Sequence, residues 1–163
     1  MRRVGYALIA AMLLTAAGGG TAARSEILGD YLGYTSCEPC HVDIVKGWKT
    51  TAHARAFSDL KTQGAEKQEN PGCFRCHVVG YGEDGGYIDM ELTPELRDVQ
   101  CEACHGMGRK HSETGSMDDI LVKVSEDVCR KCHTEGQDKD FNYDKKSKLV
   151  HGINQPETGK DKK

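Results

Sequence analysis

Eight cysteines stand in this chain of 163 residues, and each belongs to a Cys-x-x-Cys-His run. The runs are Cys37-Glu-Pro-Cys40-His41, Cys73-Phe-Arg-Cys76-His77, Cys101-Glu-Ala-Cys104-His105 and Cys129-Arg-Lys-Cys132-His133. This spacing is the attachment signature of c-type haem. Two thiols bond covalently to the porphyrin edge, and the histidine that follows turns back to ligate the iron from one face. Disulfides between cysteines so close in sequence would constrain little of the unfolded chain. Zinc sites built from Cys-x-x-Cys pairs need no histidine directly after each pair. The motifs therefore predict four haem c groups, their irons held on the proximal side by His41, His77, His105 and His133.

Seven histidines leave three beyond the motifs: His53, His111 and His151. An iron bound on one face seeks a sixth ligand, and imidazole suits it; the plain alternative for each residue is a solvated surface histidine. His53 falls at helical spacing with Phe57 and Leu60, on an apolar face where an unpaired imidazole would be costly. His111 follows Gly106-Met-Gly-Arg-Lys, a run flexible enough to swing it toward a neighbouring haem, and His151 lies in a sparse tail. Seven histidines cannot fill both faces of four irons, even if protomers exchange ligands symmetrically. One iron is open or closed by another group, for which Met90, Met107 and Met117 are the sulfur candidates.

The elements that must position these residues read as short helices in much irregular loop. A helix follows the first motif through Val42, Val45 and Trp48. A second, capped by Thr51 and ended by Gly64, carries His53, Phe57 and Leu60. Residues 61–71 read as a polar loop and 80–86 as turn-rich. Residues 87–92 alternate weakly enough for one short strand, and residues 117–124 read as a short helix. Ser125, ahead of Glu126 and Asp127, is expected to cap the helix of the fourth motif. The chain from Gly136 onward reads as irregular and lysine-rich. The plain reading of Trp48 is packing beside a porphyrin, and that of Tyr81 and Tyr87 is lining a haem edge. Motif starts at 37, 73, 101 and 129 show no exact internal repeat.

Composition points to a core built by cofactors. Only 37% of the chain is hydrophobic and 19 residues are glycine, so four large apolar porphyrins would supply interior that the polypeptide lacks. Arg2-Arg3, the apolar stretch 4–17 and Thr21-Ala22-Ala23 have the pattern of a Sec signal peptide. We read 1–23 as cleaved on export, 24–154 as one tetrahaem domain and 155–163 as a polar tail. The apolar stretch is short for a bilayer crossing, which takes about 20 residues, and no later segment reads as a membrane span. The formal charge of −3 becomes more negative without Arg2 and Arg3 and with haem propionates present. Nucleic acid is thereby disfavoured as a partner and a basic redox protein favoured.

Three segments resemble the tetrahaem cytochrome c-554 family, in the cytochrome c-552/554 group. They are 37–60 with Trp48 and Thr51-Ala-His53-Ala, 73–86 with Cys-His-Val-Val-Gly-Tyr-Gly, and 99–111 with Cys-Glu-Ala-Cys-His-Gly-x-Gly. The resemblance implies a mainly α fold with much irregular loop, a compact multihaem cytochrome c whose core is four covalently attached haems. It implies three bis-histidine haems: His111 completing the haem of His41, His53 that of His133, and His151 that of His105. The haem of His77 is left without a second histidine. His105 and His111 would then serve different irons across an extended span of at most ~20 Å, so those haems would be near neighbours. The function implied is electron transfer between redox proteins in the periplasm or outside the cell, with no catalytic residues assigned. A subunit of an extracellular cytochrome filament, self-associating haem to haem, is one alternative. A reductase acting on nitric oxide or a similar small ligand at an open His77 haem is the other.

Overall fold

The computed structural model describes residues 30–152. The segments read as a leader (1–23) and a polar tail (155–163) lie outside the described residues. Every cysteine and histidine of the chain lies inside them.

Short helical segments joined by hydrogen-bonded turns carry the motifs. Helices α1 (Tyr34–Cys37) and α2 (Val42–Trp48) flank the first motif, α3 (Pro71–His77) holds the second, and α4 (Cys101–His105) the third. Helix α5 (Arg109–Thr114) follows, α6 (Glu126–Arg130) opens the fourth motif, and α7 (Tyr143–Lys146) lies beyond it. Single 3-10 turns fill most of the remaining helical stretches, and among the described residues the only β feature is an isolated antiparallel bridge between Val78 and Arg97. The fold is mainly α with extensive loop, as the sequence predicts.

Local chemistry explains where these helices begin. At α3 the Asn70 side chain accepts from the Gly72 N–H at 2.9 Å, and Pro71 supplies a fixed φ at the first helical position. At α2, Val45 and Trp48 are buried while Val42 is 56% exposed, so only part of the expected apolar face turns inward. Trp48 packs against Tyr34 with ring centres 4.9 Å apart, and its indole N–H donates to the Val99 carbonyl at 3.0 Å.

Several expectations are corrected. The His53 segment is two 3-10 turns, His53–Arg55 and Ser58–Gln63, rather than one helix. Thr51 does not cap its start; the Thr51 hydroxyl donates back to the Trp48 carbonyl at 2.8 Å and closes α2 instead. The polar stretch after it holds a further 3-10 helix, Ala65–Glu69. No strand forms at 87–92, because the Asp89 carboxylate captures the N–H groups of Glu91 and Leu92 at 2.9 and 2.7 Å and folds the segment into a turn. That turn exposes Ile88, Met90 and Leu92 and buries Tyr87. Ser125 stands at the start of α6 but makes no side-chain cap bond. Only Met117–Asp119 of the helix expected at 117–124 is helical; beyond it the backbone opens, with Leu121 drawn onto His105. The region after Gly136 is not wholly irregular, since it contains α7 and the 3-10 turn Ser147–Leu149.

The polypeptide does build one apolar cluster of its own: Tyr31, Phe57, Leu60, Phe74, Val78, Val79, Tyr87 and Leu96. Phe74 meets Tyr81 and Tyr87 edge-on, with ring centres 5.3 and 5.4 Å apart. All of these residues precede Arg97. Among the described residues the only buried hydrophobic side chain after that point is Phe141.

A strap at 97–102 ties the halves together. The Asp98 carboxylate, 7% exposed, accepts from the Phe57 N–H at 2.8 Å and the Ser58 N–H at 3.4 Å. The Val99 N–H donates to the His53 carbonyl at 3.1 Å. Asp98 has φ +70°, a left-handed conformation that aspartate and asparagine tolerate better than other side chains. Burial pushes its carboxyl above the usual range, while the two N–H groups and Arg97 pull it back. Asp98→Ala, which strips two backbone donors of their acceptor, should cost about 1–3 kcal/mol. Asp98→Asn keeps an acceptor, suits the backbone and removes a buried charge, so its cost should stay under about 1 kcal/mol. Denaturant midpoints of the two variants against the parent chain check this ordering.

Candidate metal centres

Six of the seven histidines stand in three facing pairs. The ring centres of His41 and His111 are 6.3 Å apart with planes 23° from parallel, and those of His105 and His151 are 6.2 Å apart at 14°. His53 and His133 are 6.1 Å apart at 60°. A metal held by an imidazole nitrogen on each side, at about 2 Å per bond, separates the ring centres by about 6 Å. Each gap thus fits one hexacoordinate iron. His77 is the seventh histidine, and no imidazole faces it.

Hydrogen bonds fix the orientation of several rings. Nδ1–H donates to the Ala56 carbonyl in His77 (2.6 Å), to the Leu121 carbonyl in His105 (2.6 Å) and to the Ser116 carbonyl in His111 (2.8 Å). A carbonyl can only accept, so Nδ1 carries the proton and Nε2 keeps its lone pair for a metal. In His133 the same nitrogen meets the Asp138 carboxylate at 2.8 Å. Burial, and then the proximity of His133, lowers the affinity of His53 for a proton; burial and His105 do the same for His151. Both shifts favour the neutral form, which is the one that coordinates metals.

Different elements deliver the three histidines outside the motifs. His53 hangs from the strap through Val99. His111 rides on α5, a formed helix rather than a flexible run, whose end is closed by the Gly115 N–H on the His111 carbonyl at 2.8 Å. His151 follows the turn Ser147–Leu149, and its neighbour Gly152 lies against α2. A β-carbon at Gly152 would stand 2.1 Å from the Gly47 carbonyl oxygen. The end of the described chain is thus seated on the helix that follows the first motif. His105 is gripped twice, since the Leu121 N–H also donates to its carbonyl at 3.0 Å.

The cysteines order the sites. The Cys37 thiol lies beside that of Cys101, the Cys132 thiol beside that of Cys76, and Cys104 neighbours Cys129 and Cys132. The attachment points therefore run from the first motif to the third, then the fourth, then the second. The sites of His41 and His77 stand at the two ends of that series. Among the methionines considered as ligands, Met90 lines a pocket with Phe57, Phe74 and Tyr87, and Met107 lines another with Asp30 and Arg109. Met117 follows directly on Ser116, the carbonyl partner of His111.

One acidic residue inside a motif organises the surroundings. Glu102 is 3% exposed, and its oxygens accept from the N–H groups of Leu32 (3.0 Å), Gly33 (2.8 Å) and Gly108 (2.7 Å). Burial raises its carboxyl above the usual range, and the three donors and Arg109 oppose that. A β-carbon on Gly108 would stand 2.9 Å from the Glu102 oxygen, so a larger residue here would require the carboxylate to shift. Sequence reasoning missed Glu102, Asp98, Leu121 and Asp138, none of which is a haem-motif cysteine or histidine. The sole signal was the Glu-Ala between the third pair of cysteines, with the Gly-x-Gly after it.

Comparison with known proteins bears on these centres. A family described as cytochrome c554 and c-prime matches residues 36–106. Cytochrome c-554 of Nitrosomonas europaea is 30% identical over 163 aligned positions, covering 88% of this chain and 66% of that protein. This chain therefore spans about two thirds of its relative's length. The reduced-state structure of cytochrome c554 from Nitrosomonas europaea aligns with a TM-score of 0.55 at 26% identity, covering 76% of this chain and 84% of that one.

Replacing Glu102 by glutamine turns an amide NH2 group toward donors that converge on it. We expect the unfolding midpoint of Glu102→Gln to fall by an amount equivalent to about 1–3 kcal/mol, read by denaturant titration of the haem-loaded protein. A midpoint equal to that of the parent chain would show that exchanging one of the two acceptor oxygens for an amide NH2 costs no net stability.

Proposed function

This chain belongs to the cytochrome c-554 family of tetrahaem c-type cytochromes, and from that membership we propose that it carries electrons between redox proteins, one electron per iron. The observation that carries the reading is the set of three imidazole pairs, each spaced for one iron, on a series of adjoining cysteine attachment points. When bound, haem c supplies a reversible one-electron couple. The chain's own work is to anchor, ligate and shield it. Cys37 and Cys40, Cys73 and Cys76, Cys101 and Cys104, and Cys129 and Cys132 are the anchors. His41, His77, His105 and His133 are the proximal ligands. His111, His53 and His151 are the distal ligands opposite His41, His133 and His105.

Two histidines on one iron leave no face for a substrate, which suits a carrier better than a catalyst. His77 has no opposing imidazole, so its site is the one able to take a small ligand such as nitric oxide, and we keep that as the second reading. The redox partners are proteins whose docking surface complements an acidic chain. No described helix is long and apolar enough to cross a membrane. The pattern of residues 1–23 fits a cleaved leader and supports export of the cytochrome domain, residues 24–154, to the periplasm or beyond.

The ligand set is tested by electron paramagnetic resonance and redox titration of the oxidised holoprotein. Three low-spin signals and one high-spin signal are expected, on a polypeptide whose intact mass carries four haems. His53→Met and His111→Met should each change one low-spin signal and move one step of the titration. A variant whose spectrum and titration match the parent removes that histidine from the ligand set. Four low-spin signals without any ligand-binding change would close the His77 site and send the search to Met90, Met107 and Met117.

A further inference from the structure

The four histidines with a defined Nδ1 partner are not alike. His77, His105 and His111 donate to backbone carbonyls, whereas His133 meets the Asp138 carboxylate, Oδ2 at 2.8 Å. Asp138 is held for this contact by a tight turn: its N–H and that of Gln137 both donate to the Thr134 carbonyl, at 2.8 and 3.0 Å. Its own carbonyl accepts from the Phe141 N–H at 3.1 Å, and the Phe141 ring stacks on His133 with centres 4.6 Å apart and planes 26° from parallel. The Arg130 guanidinium lies 4.7 Å from the centre of that ring and is itself paired with Glu126 at 2.9 Å. The His133 imidazole therefore sits between His53 on one side and an ordered acidic turn on the other.

We propose that Asp138 is a positioning and tuning residue that lowers the reduction potential of the iron ligated by His133. The inference rests on reading His133 as an iron ligand. A carboxylate accepts the Nδ1 proton more strongly than a carbonyl does, shifts electron density into the ring and makes Nε2 a stronger donor. A stronger donor, with a negative charge behind it, favours the ferric state over the ferrous, and hydrogen bonding around a ligand is one of the protein's levers on potential. The side chains of His133 and Asp138 are 32% and 31% exposed, so water damps the bare charge and leaves the hydrogen bond as the main influence. The Nδ1 partners of His77, His105 and His111 are neutral carbonyls, so those three rings do not have this device.

The test is Asp138→Asn in the haem-loaded protein, followed by spectroelectrochemical titration and electron paramagnetic resonance. Asparagine keeps an acceptor oxygen at the same reach and removes the charge. One of the four titration steps should move upward, namely the step that His53→Met also perturbs, while the other three stay in place. Asp138→Glu, which restores a carboxylate, should return that step toward its parental position. An unchanged or downward-shifted step overturns the proposal. If Asp138→Asn instead moved all four steps or lost a haem, Asp138→Glu decides: parental behaviour supports the proposal and a matching defect overturns it. A titration and spectrum untouched by His53→Met would count against the ligand assignment itself, a result separable from the response to Asp138→Asn.

Discussion

A carboxylate that water hardly reaches holds the early part of this chain against the third motif. Glu102 lies between Cys101 and Cys104, yet it makes no contribution to attaching a cofactor. Its two oxygens gather the backbone N–H groups of Leu32, Gly33 and Gly108, which come from opposite sides of the motif. Removing a carboxylate from water is costly, and this one tolerates burial because every donor around it is aimed at it. The same contacts fix the turn from α4 to α5, and with it the direction in which His111 leaves the motif. Next along, Gln100 accepts from the Tyr34 N–H at 2.6 Å, and Asp98 accepts from Phe57. The strap is thus a run of polar side chains that satisfies backbone groups in segments which would otherwise have none of the regularity of helix or sheet.

This explains which parts of the molecule were legible in its sequence. The Cys-x-x-Cys-His runs carry their chemistry in a fixed spacing, so the cofactor and the family could be read without any coordinates. The helix at Val42–Trp48 followed from apolar spacing, and the helix of the fourth motif from the acidic residues at its start; the helices of the second and third motifs were not anticipated. What escaped were elements whose shape depends on one or two particular hydrogen bonds. Asp89 converts a weak strand pattern into a turn; Leu121 is held extended by two bonds to His105; His53 is suspended from Val99. No periodicity announces such contacts: those of Leu121 and His53 join residues far apart in the sequence, and those of Asp89 are a local side-chain capture that an alternating pattern does not reveal. The irregular reading of the region after Gly136 failed for a related reason, since α7 is set by the Asn142 side chain accepting from the Lys145 N–H at 3.0 Å.

The partners of the imidazoles show a division of labour between backbone and side chain. Carbonyls of Ala56, Leu121 and Ser116 orient three rings, and these acceptors cannot be altered by exchanging a side chain. The acceptor at His133 is a side chain and can be exchanged by a single codon change. Such a site is free to vary in electronic character while the scaffold that spaces the centres stays the same.

The one-sided apolar cluster has a consequence in time. Residues 31–96 contain enough aromatic and aliphatic side chains to condense on themselves, around Phe57, Phe74 and Tyr87. Residues beyond Arg97 contribute only Phe141 to the buried apolar set among the described residues, and so have little to collapse onto until neighbours or cofactors provide a surface. A chain emerging amino-terminus first would gather its first two motifs before its last two were organised. Maturation would then be directional: an early nucleus, followed by a late half that acquires its shape as its own anchoring sites are filled.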